Sequence, residues 1–218
     1  IINKAEIGNN INQIPNFFFM NYINLTHITI PSSITSIGNK SFMQCTSLRK
    51  IIIPQSVTTI GNESFKECSS LQEILIPSSV TSIGKSSFCK CISLKKVEIP
   101  QSVTTIREES FAECSSLQEI LIPSSVTSIG KSSFCKCISL TNIEISQSVT
   151  TIKYQSFKEC SSLQEIVIPS SIQNIGEESF MECTSLQKVT ILSLVKSIPR
   201  RFFYGCKSLI NVEIPQSV

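Results

Sequence analysis

Residues 69–94, SSLQEILIPSSVTSIGKSSFCKCISL, recur unchanged at residues 115–140. Two leucines of this stretch, Leu71 and Leu94, are 23 residues apart, and leucine keeps that spacing along the chain. A fixed period in this range is typical of a solenoid, in which each unit buries its apolar face only against its neighbours. The series is Leu25, Leu48, Leu71, Leu94, Leu117, Leu140, Leu163, Leu186 and Leu209. We therefore expect a repeat array with one long, regular surface.

Phenylalanine and cysteine keep the same register, and eight of the ten cysteines follow a phenylalanine by three residues. Three residues make about one helical turn, so both side chains of a pair should point into the core. The phenylalanines are Phe19, Phe42, Phe65, Phe88, Phe111, Phe134, Phe157, Phe180 and Phe203. The cysteines are Cys45, Cys68, Cys91, Cys114, Cys137, Cys160, Cys183 and Cys206. The predicted core of the central repeats is Phe65, Phe88, Phe111, Phe134, Cys68, Cys91, Cys114 and Cys137.

The unit that begins at Leu71 shows how one repeat should fold. Its alternating aliphatic residues fit a short strand, which Pro77 should end because proline lacks the N–H that a continuing ladder needs. A second extended piece is expected at residues 80–83, followed by a helical turn capped by Ser86 or Ser87. Stacked copies would place equivalent strands about 4.8 Å apart in a parallel sheet. Since the opposite side is spaced more widely, this sheet should lie on the concave face.

The composition excludes several classes of function. The 218-residue chain has a net charge of +3, with 41% hydrophobic and 16% charged residues. Its positive charges are scattered, so no nucleic-acid surface is expected, and no apolar run approaches the roughly 20 residues that cross a bilayer. His27 is the only histidine, and the many serines repeat with the scaffold. We therefore expect no catalytic residue, no cofactor and no enzyme.

The ten cysteines allow three interpretations. Buried, reduced thiols are favoured, because the cysteines of one column fill small core positions well. A zinc site is the alternative, based on the pairs Cys89/Cys91 and Cys135/Cys137. These C-x-C pairs are shorter than the usual C-x-x-C spacing and have no histidine nearby, which argues against a metal. Occasional oxidation between neighbouring coils is the third interpretation.

The outward positions of the first strand form two columns that can vary without disturbing the core. Alternating lysine and glutamate in one column predict a cross-strand charge ladder. Exposed aliphatic residues in the other column either mark a contact surface or are simply good strand formers. We predict that this concave face binds a protein. The predicted binding residues are Lys50, Ile52, Glu73, Leu75, Lys96, Glu98, Glu119, Leu121, Glu165 and Val167.

The repeat pattern LxxIxIPxSVTxIGxxSFxxCxS resembles the leucine-rich repeat of the BspA-like, or Treponema-type, class. In one copy the matching residues are Leu117, Ile120, Ile122, Val126, Ile129, Phe134 and Cys137. The resemblance implies a right-handed horseshoe with a parallel sheet on the concave face and short strands or helical turns on the convex side. The Asn of the common LxxLxLxxN repeat is missing, with serine such as Ser79 near its place, so that asparagine ladder should be absent. The Ile, Asn, Lys and Ser content is similar to that of protist members (Entamoeba or Trichomonas).

The resemblance also implies a function, namely adhesion at the cell surface or after secretion, with a host or cell-surface protein as the partner. The alternative is an intracellular scaffold that regulates a signalling enzyme such as a protein phosphatase. For this alternative, Lys96-Val97-Glu98-Ile99 and Lys188-Val189-Thr190-Ile191 are close to a basic-Val-x-Phe docking motif, although both valines should face the core. Reduced cysteines favour a reducing compartment, whereas the resemblance favours the surface.

The 23-residue count continues without insertion or deletion, so residues 1–218 should form a single domain of about nine repeats. Residues 1–24 are expected to be a degenerate first repeat or partial cap. Because the chain starts without Met and stops in mid-repeat at Val218, we expect it to begin inside a longer protein. No C-terminal cap is visible, and open sheet edges invite pairing, so self-association through an end is also expected.

Overall fold

The computed structural model describes residues 3–193, 195 and 197–215, so the predicted end at Val218 lies outside the described residues. Within this part the chain winds into a solenoid of about nine coils built from short parallel strands and turns. The described residues contain no helix. The predicted repeat solenoid is therefore confirmed, with tight turns where the sequence predicted helical turns.

Each coil carries a first strand of three or four residues and, in most coils, a second strand of two. The first strands are β1 (Lys4–Glu6), β3 (His27–Thr29), β5 (Lys50–Ile52), β7 (Glu73–Leu75), β9 (Lys96–Glu98), β11 (Glu119–Leu121), β13 (Asn142–Glu144), β15 (Glu165–Ile168), β17 (Lys188–Ile191) and β18 (Asn211–Glu213). The second strands are β2 (Gln13–Ile14), β4 (Ser36–Ile37), β6 (Thr59–Ile60), β8 (Ser82–Ile83), β10 (Thr105–Ile106), β12 (Ser128–Ile129), β14 (Thr151–Ile152) and β16 (Asn174–Ile175).

Strand pairing is parallel and in register from coil to coil. In the longest ladder, β5 to β13, Lys50 pairs with Glu73, Glu73 with Lys96, and Lys96 with Glu119. The first strands fall into three ladders and the second strands into two, all of which join strands 23 residues apart. Because the register never slips, equivalent side chains lie above one another in columns.

The phenylalanine column forms the centre of the core. The rings of Phe65 and Phe88 are stacked, with centroids 5.4 Å apart and planes 1° from parallel. From Phe19 to Phe180, neighbouring centroids are 5.1–5.6 Å apart and the planes lie within 12° of parallel. This spacing exceeds the roughly 4.8 Å typical of paired strands, which favours a curve with the first strands on the inside.

The stack ends one residue away from the predicted position. Phe202 is buried and meets Phe180 edge-on, with centroids 5.3 Å apart and planes at 85°. Phe203, which the register placed in the column, is only partly buried and is tilted against Phe180 at 6.3 Å. The column prediction is therefore wrong at this last coil, where two adjacent phenylalanines compete for one core position and the buried ring is Phe202.

Left-handed backbone explains why residues 85–90 form turns and not the predicted helical turn. Ser86 and Lys90 have φ values of 54° and 61°, which an α-helix excludes. Cys91 N–H donates to the Phe88 carbonyl at 3.1 Å, which closes a four-residue turn, while Phe88 N–H donates to the Ser110 carbonyl of the next coil at 2.9 Å. The prediction that Ser86 or Ser87 caps a helical turn is therefore wrong, and these turns form hydrogen bonds to the neighbouring coils as the strands do.

The cysteines of the column are free thiols that join successive coils. Cys68, Cys91, Cys114 and Cys137 are fully buried, in agreement with the predicted core. From Cys45 to Cys206, each Sγ donates to the carbonyl of the phenylalanine 26 positions earlier, at 3.1–3.2 Å. A thiol is thus both a small apolar filler and a hydrogen-bond donor in this position.

Serine and asparagine add two further ladders. Ser79 Oγ donates to the Val57 carbonyl of the preceding coil at 2.7 Å, and equivalent serines repeat this bond along the array. A short asparagine ladder is also present, since Asn16 Oδ1 accepts from Asn39 N–H and Asn39 Oδ1 from Asn62 N–H, both at 2.7 Å. It lies in the turns and not at the strand position where the common leucine-rich repeat carries its asparagine.

Candidate functional site

The outward residues of β5, β7, β9, β11, β13 and β15 form an open surface, which we call the strand face. Its strands share the pattern exposed–buried–exposed, so the two ends of each three-residue segment point outward and the middle residue points into the core. The first column is Lys50, Glu73, Lys96, Glu119, Asn142 and Glu165. The second column is Ile52, Leu75, Glu98, Leu121, Glu144 and Val167.

All the predicted binding residues lie on the strand face and are exposed. The structure adds Asn142 and Glu144, which the predicted set left out although the 23-residue register pointed to them. The register was therefore the better guide to this surface, because it depends on stacking and not on the chemistry of any one side chain.

Exposed aliphatic side chains are the most unusual feature of the strand face. Leu75 and Leu121 are each 62% exposed, although both belong to strands that pair in register. Ile52 and Val167 extend the same column at its two ends. A shallow hollow of about 600 Å³ lies over β7 to β13, with Leu75 and Leu121 in its lining. The face therefore combines apolar surface with a depression in which another molecule can pack.

The charged residues of the strand face form fewer cross-strand pairs than the alternation predicted. Lys50 Nζ lies 3.1 Å from Glu73 Oε2 on the next strand. Lys96 Nζ instead pairs with Glu98 Oε1 of its own strand, at 3.2 Å. Because both pairs are well exposed to solvent, each contributes less than about 1 kcal/mol to stability.

The charge of the strand face is predominantly negative. From β7 to β15 its two columns hold one lysine and five glutamates, and each of these five strands carries one of the glutamates. Among the described residues, Glu119, Glu144 and Glu165 form no ion pair within 4.0 Å. The whole chain carries +3, so this surface differs in sign from the molecule.

The cysteine pairs outside this surface do not converge on a metal geometry. Cys91 Sγ is directed to the Phe65 carbonyl, whereas Cys89 occupies a different column two residues earlier. Burial raises the pKa of Cys89 and of Cys135 to about 11, which opposes the thiolate form that a metal needs. Within the described ranges, no three His, Cys, Asp or Glu side chains are grouped closely enough to hold a metal ion.

The two near-matches to a docking motif are not accessible to a partner, because their valines are packed in the core. Val97 and Val189 are buried in the core, as the sequence predicted, and therefore cannot enter the pocket of a partner.

The single histidine, His27, is exposed, with Nδ1 2.9 Å from Thr26 Oγ1. No helix in the described residues is long and apolar enough to cross a membrane.

The sequence matches the BspA type leucine rich repeat region in six copies, over residues 1–118 and 104–218. The chain belongs to the BspA-type leucine-rich-repeat family. Solenoids of this BspA-type class are typically binding modules and not enzymes. A search of curated proteins found no match.

Three solved structures are similar to this BspA-type chain. The leucine-rich repeat protein of T. pallidum is 27% identical over 74% of this chain and 78% of its own, with a TM-score of 0.70. A leucine-rich repeat protein from Eubacterium ventriosum is 24% identical over 97% and 66%, with a TM-score of 0.59. A leucine rich cell surface protein from Faecalibacterium prausnitzii is 24% identical over 98% and 79%, with a TM-score of 0.54. These sources are bacterial, and the similarities do not support the predicted protist origin.

Proposed function

We propose that this chain is a protein-binding module that docks its partner on the strand face and serves in adhesion at the cell surface. The observation that carries the proposal is the exposure of Leu75 and Leu121 beside a hollow of about 600 Å³. Large exposed aliphatic side chains on a sheet face are a common mark of a protein-contact surface. A face whose chemistry repeats from coil to coil also suits an extended protein partner better than a small substrate.

The adhesion part of the proposal draws on one of the similar structures. The Faecalibacterium prausnitzii protein is described as a cell surface protein, and it shares this fold. The intracellular scaffold predicted as the alternative has less support, because the valines of both docking motifs are buried. We therefore propose a host or cell-surface protein as the partner.

A charge inserted into the apolar column tests the docking surface. The Leu75→Asp/Leu121→Asp variant should lose binding to immobilised extracellular-matrix proteins and to intact host cells, because two carboxylates would be buried against the partner. The matched control is Ile92→Asp/Ile138→Asp, two exposed isoleucines that are also 46 residues apart but lie outside the strand face. It should bind like the unmodified chain, and both variants should keep its circular dichroism.

Either of two results would count against the docking surface. One is unchanged binding by the strand-face variant, and the other is equal loss in both variants. The location is tested separately, by biotinylation of intact cells that express the full-length protein. Labelling of the native chain without permeabilisation supports adhesion, whereas labelling only after permeabilisation, together with capture of a cytosolic enzyme, supports the scaffold.

A further inference from the structure

From β7 to β15 the strand face alternates in chemistry with a period of two coils, whereas in β5 and β7 the second column holds two adjacent aliphatic residues, Ile52 and Leu75. In β7, β11 and β15 a glutamate is paired with an aliphatic residue, as in Glu73 and Leu75. In the intervening β9 and β13 the second column is instead acidic, at Glu98 and Glu144. The second column therefore reads Leu75, Glu98, Leu121, Glu144 and Val167 along the array.

This alternation sets distances that a partner must match. Coils in register are about 4.8 Å apart, so like residues of the second column recur about every 9.6 Å, with an acid about halfway between them. In an extended segment, residues three positions apart are separated by about 9.9 Å, which is close to this distance. Their side chains point to opposite faces, however, because side chains alternate along a strand. A polyproline segment repeats about every 9.3 Å, yet it has no residue at the halfway point.

An α-helix satisfies both distances. Seven residues rise about 10.5 Å and return to the same face, and residues three or four positions on lie about 4.5–6 Å along the axis on that face. A helix parallel to the solenoid axis can therefore present an apolar side chain to Leu75, Leu121 and Val167. Its intervening turns would face Glu98 and Glu144.

The charge of the strand face decides what those intervening turns carry. With five glutamates and one lysine from β7 to β15, a basic side chain finds an acceptor in each coil, whereas an acidic one is repelled. We propose that the strand face binds a partner helix of about four turns that alternates aliphatic and lysine or arginine side chains on one face. This inference rests on the proposed docking surface and names the chemistry of its partner.

A synthetic peptide of about 20 residues, with Leu at positions i, i+7 and i+14 and Lys at i+3, i+4, i+10 and i+11, tests the inference directly. Three further peptides serve for comparison: the same composition in scrambled order, the same pattern with Glu in place of Lys, and a proline-rich version with Leu at every third position. By fluorescence anisotropy, the patterned peptide should bind at least about tenfold more tightly than each of the others. Its affinity should fall as salt is raised.

Charge reversal identifies the surface that the peptide uses. The Glu98→Lys/Glu144→Lys variant should weaken binding of the patterned peptide by about tenfold or more. The matched control is Glu113→Lys/Glu159→Lys in the turns, which makes the same change in net charge at the same 46-residue separation. Lysine already occupies that column at Lys90 and Lys136, so the control should fold and bind with less than about a twofold change.

The inference is overturned if the scrambled or proline-rich peptide binds as tightly as the patterned one, if no peptide binds, or if both charge-reversal variants weaken binding equally. A different result would contradict the proposed docking surface itself. In that case Leu75→Asp/Leu121→Asp would leave binding to matrix proteins and host cells unchanged. Loss of that binding without preference for the patterned peptide would retain the docking surface and reject only the basic helix.

Discussion

Cys91 Sγ lies 3.1 Å from the carbonyl oxygen of Phe65 in the preceding coil and donates a hydrogen bond to it. The same carbonyl accepts the N–H of Cys68 at 3.1 Å, so both of its lone pairs are used. Because this arrangement recurs from coil to coil, the cysteine column links coils through side chains where the turns link them through backbone. The bond also gives a physical reason why a thiol, and not a methyl group, fills the position.

Replacing one of these thiols by alanine or by serine should distinguish the contribution of its packing to stability from that of its hydrogen bond. Cys114→Ala removes the bond to the Phe88 carbonyl and leaves a small cavity, so it should lower the free energy of unfolding by about 1–2 kcal/mol. Cys114→Ser keeps a donor and should cost less than Cys114→Ala. Guanidinium unfolding of both variants is the measurement, and a larger loss for serine would show that the thiol is selected for packing alone.

The phenylalanine stack should dominate the stability of the central coils. Phe111→Ala deletes a buried ring stacked on both Phe88 and Phe134 and should cost about 3–5 kcal/mol. Phe18→Ala is the aromatic control, since Phe18 is half exposed, and should cost less than about 1 kcal/mol. Thermal melts would compare the two, and equal losses would contradict a core built on the stack.

Stability should fall in alkaline solution. Burial raises the pKa of Cys45 from 9.0 to about 12 and that of Cys89 and Cys135 to about 11. At about pH 8 and below these thiols are protonated in both states, so their contribution to stability is fully present and does not change with pH. Between about pH 9 and the raised pKa of each thiol, the unfolded chain loses thiol protons that the native chain keeps, so the free energy of unfolding drops by less than about 1.4 kcal/mol per pH unit for each thiol.

Unfolding by denaturant at about pH 8, 9.5 and 10.5 measures this alkaline effect. The control is Cys89→Ala/Cys135→Ala, which removes two titrating thiols outside the main cysteine column. Its stability should decline less steeply with pH than that of the unmodified chain. An identical slope in the two proteins would assign the alkaline loss to other groups.

The left-handed turn residues should tolerate glycine but not a β-branched residue. Glu113 has a φ of 59°, and Gly205 occupies the same column with a φ of 78°. Glu113→Gly should leave stability unchanged or slightly higher, because relief of about 1–2 kcal/mol of left-handed strain offsets the flexibility of glycine. Glu113→Val should cost more than about 1 kcal/mol. If the Glu113→Val variant is more stable than the Glu113→Gly variant in chemical denaturation, the left-handed backbone does not restrict the residue at this position.

The turns at residues 85–90 show why part of the fold could not be predicted from the sequence. The three-residue spacing of Phe88 and Cys91 fits one turn of helix, and the direction in which both side chains point was predicted correctly. The sequence contained no glycine to signal the left-handed backbone at Ser86 and Lys90. That conformation is stabilised by hydrogen bonds to the next coil, such as Phe88 N–H to Ser110, which no local pattern encodes.

The 23-residue period alone determined the solenoid, the buried columns and the residues that would share the strand face, because stacking in register follows from repetition. Only the tertiary structure decided how the exposed charges pair. Lys96 reaches Glu98 on its own strand and not Glu119 on the next, since a long, solvated side chain has several partners within reach. Tertiary packing also decided which of Phe202 and Phe203 enters the core, because adjacent residues of equal hydrophobicity differ only in the direction that the neighbouring coil imposes on them.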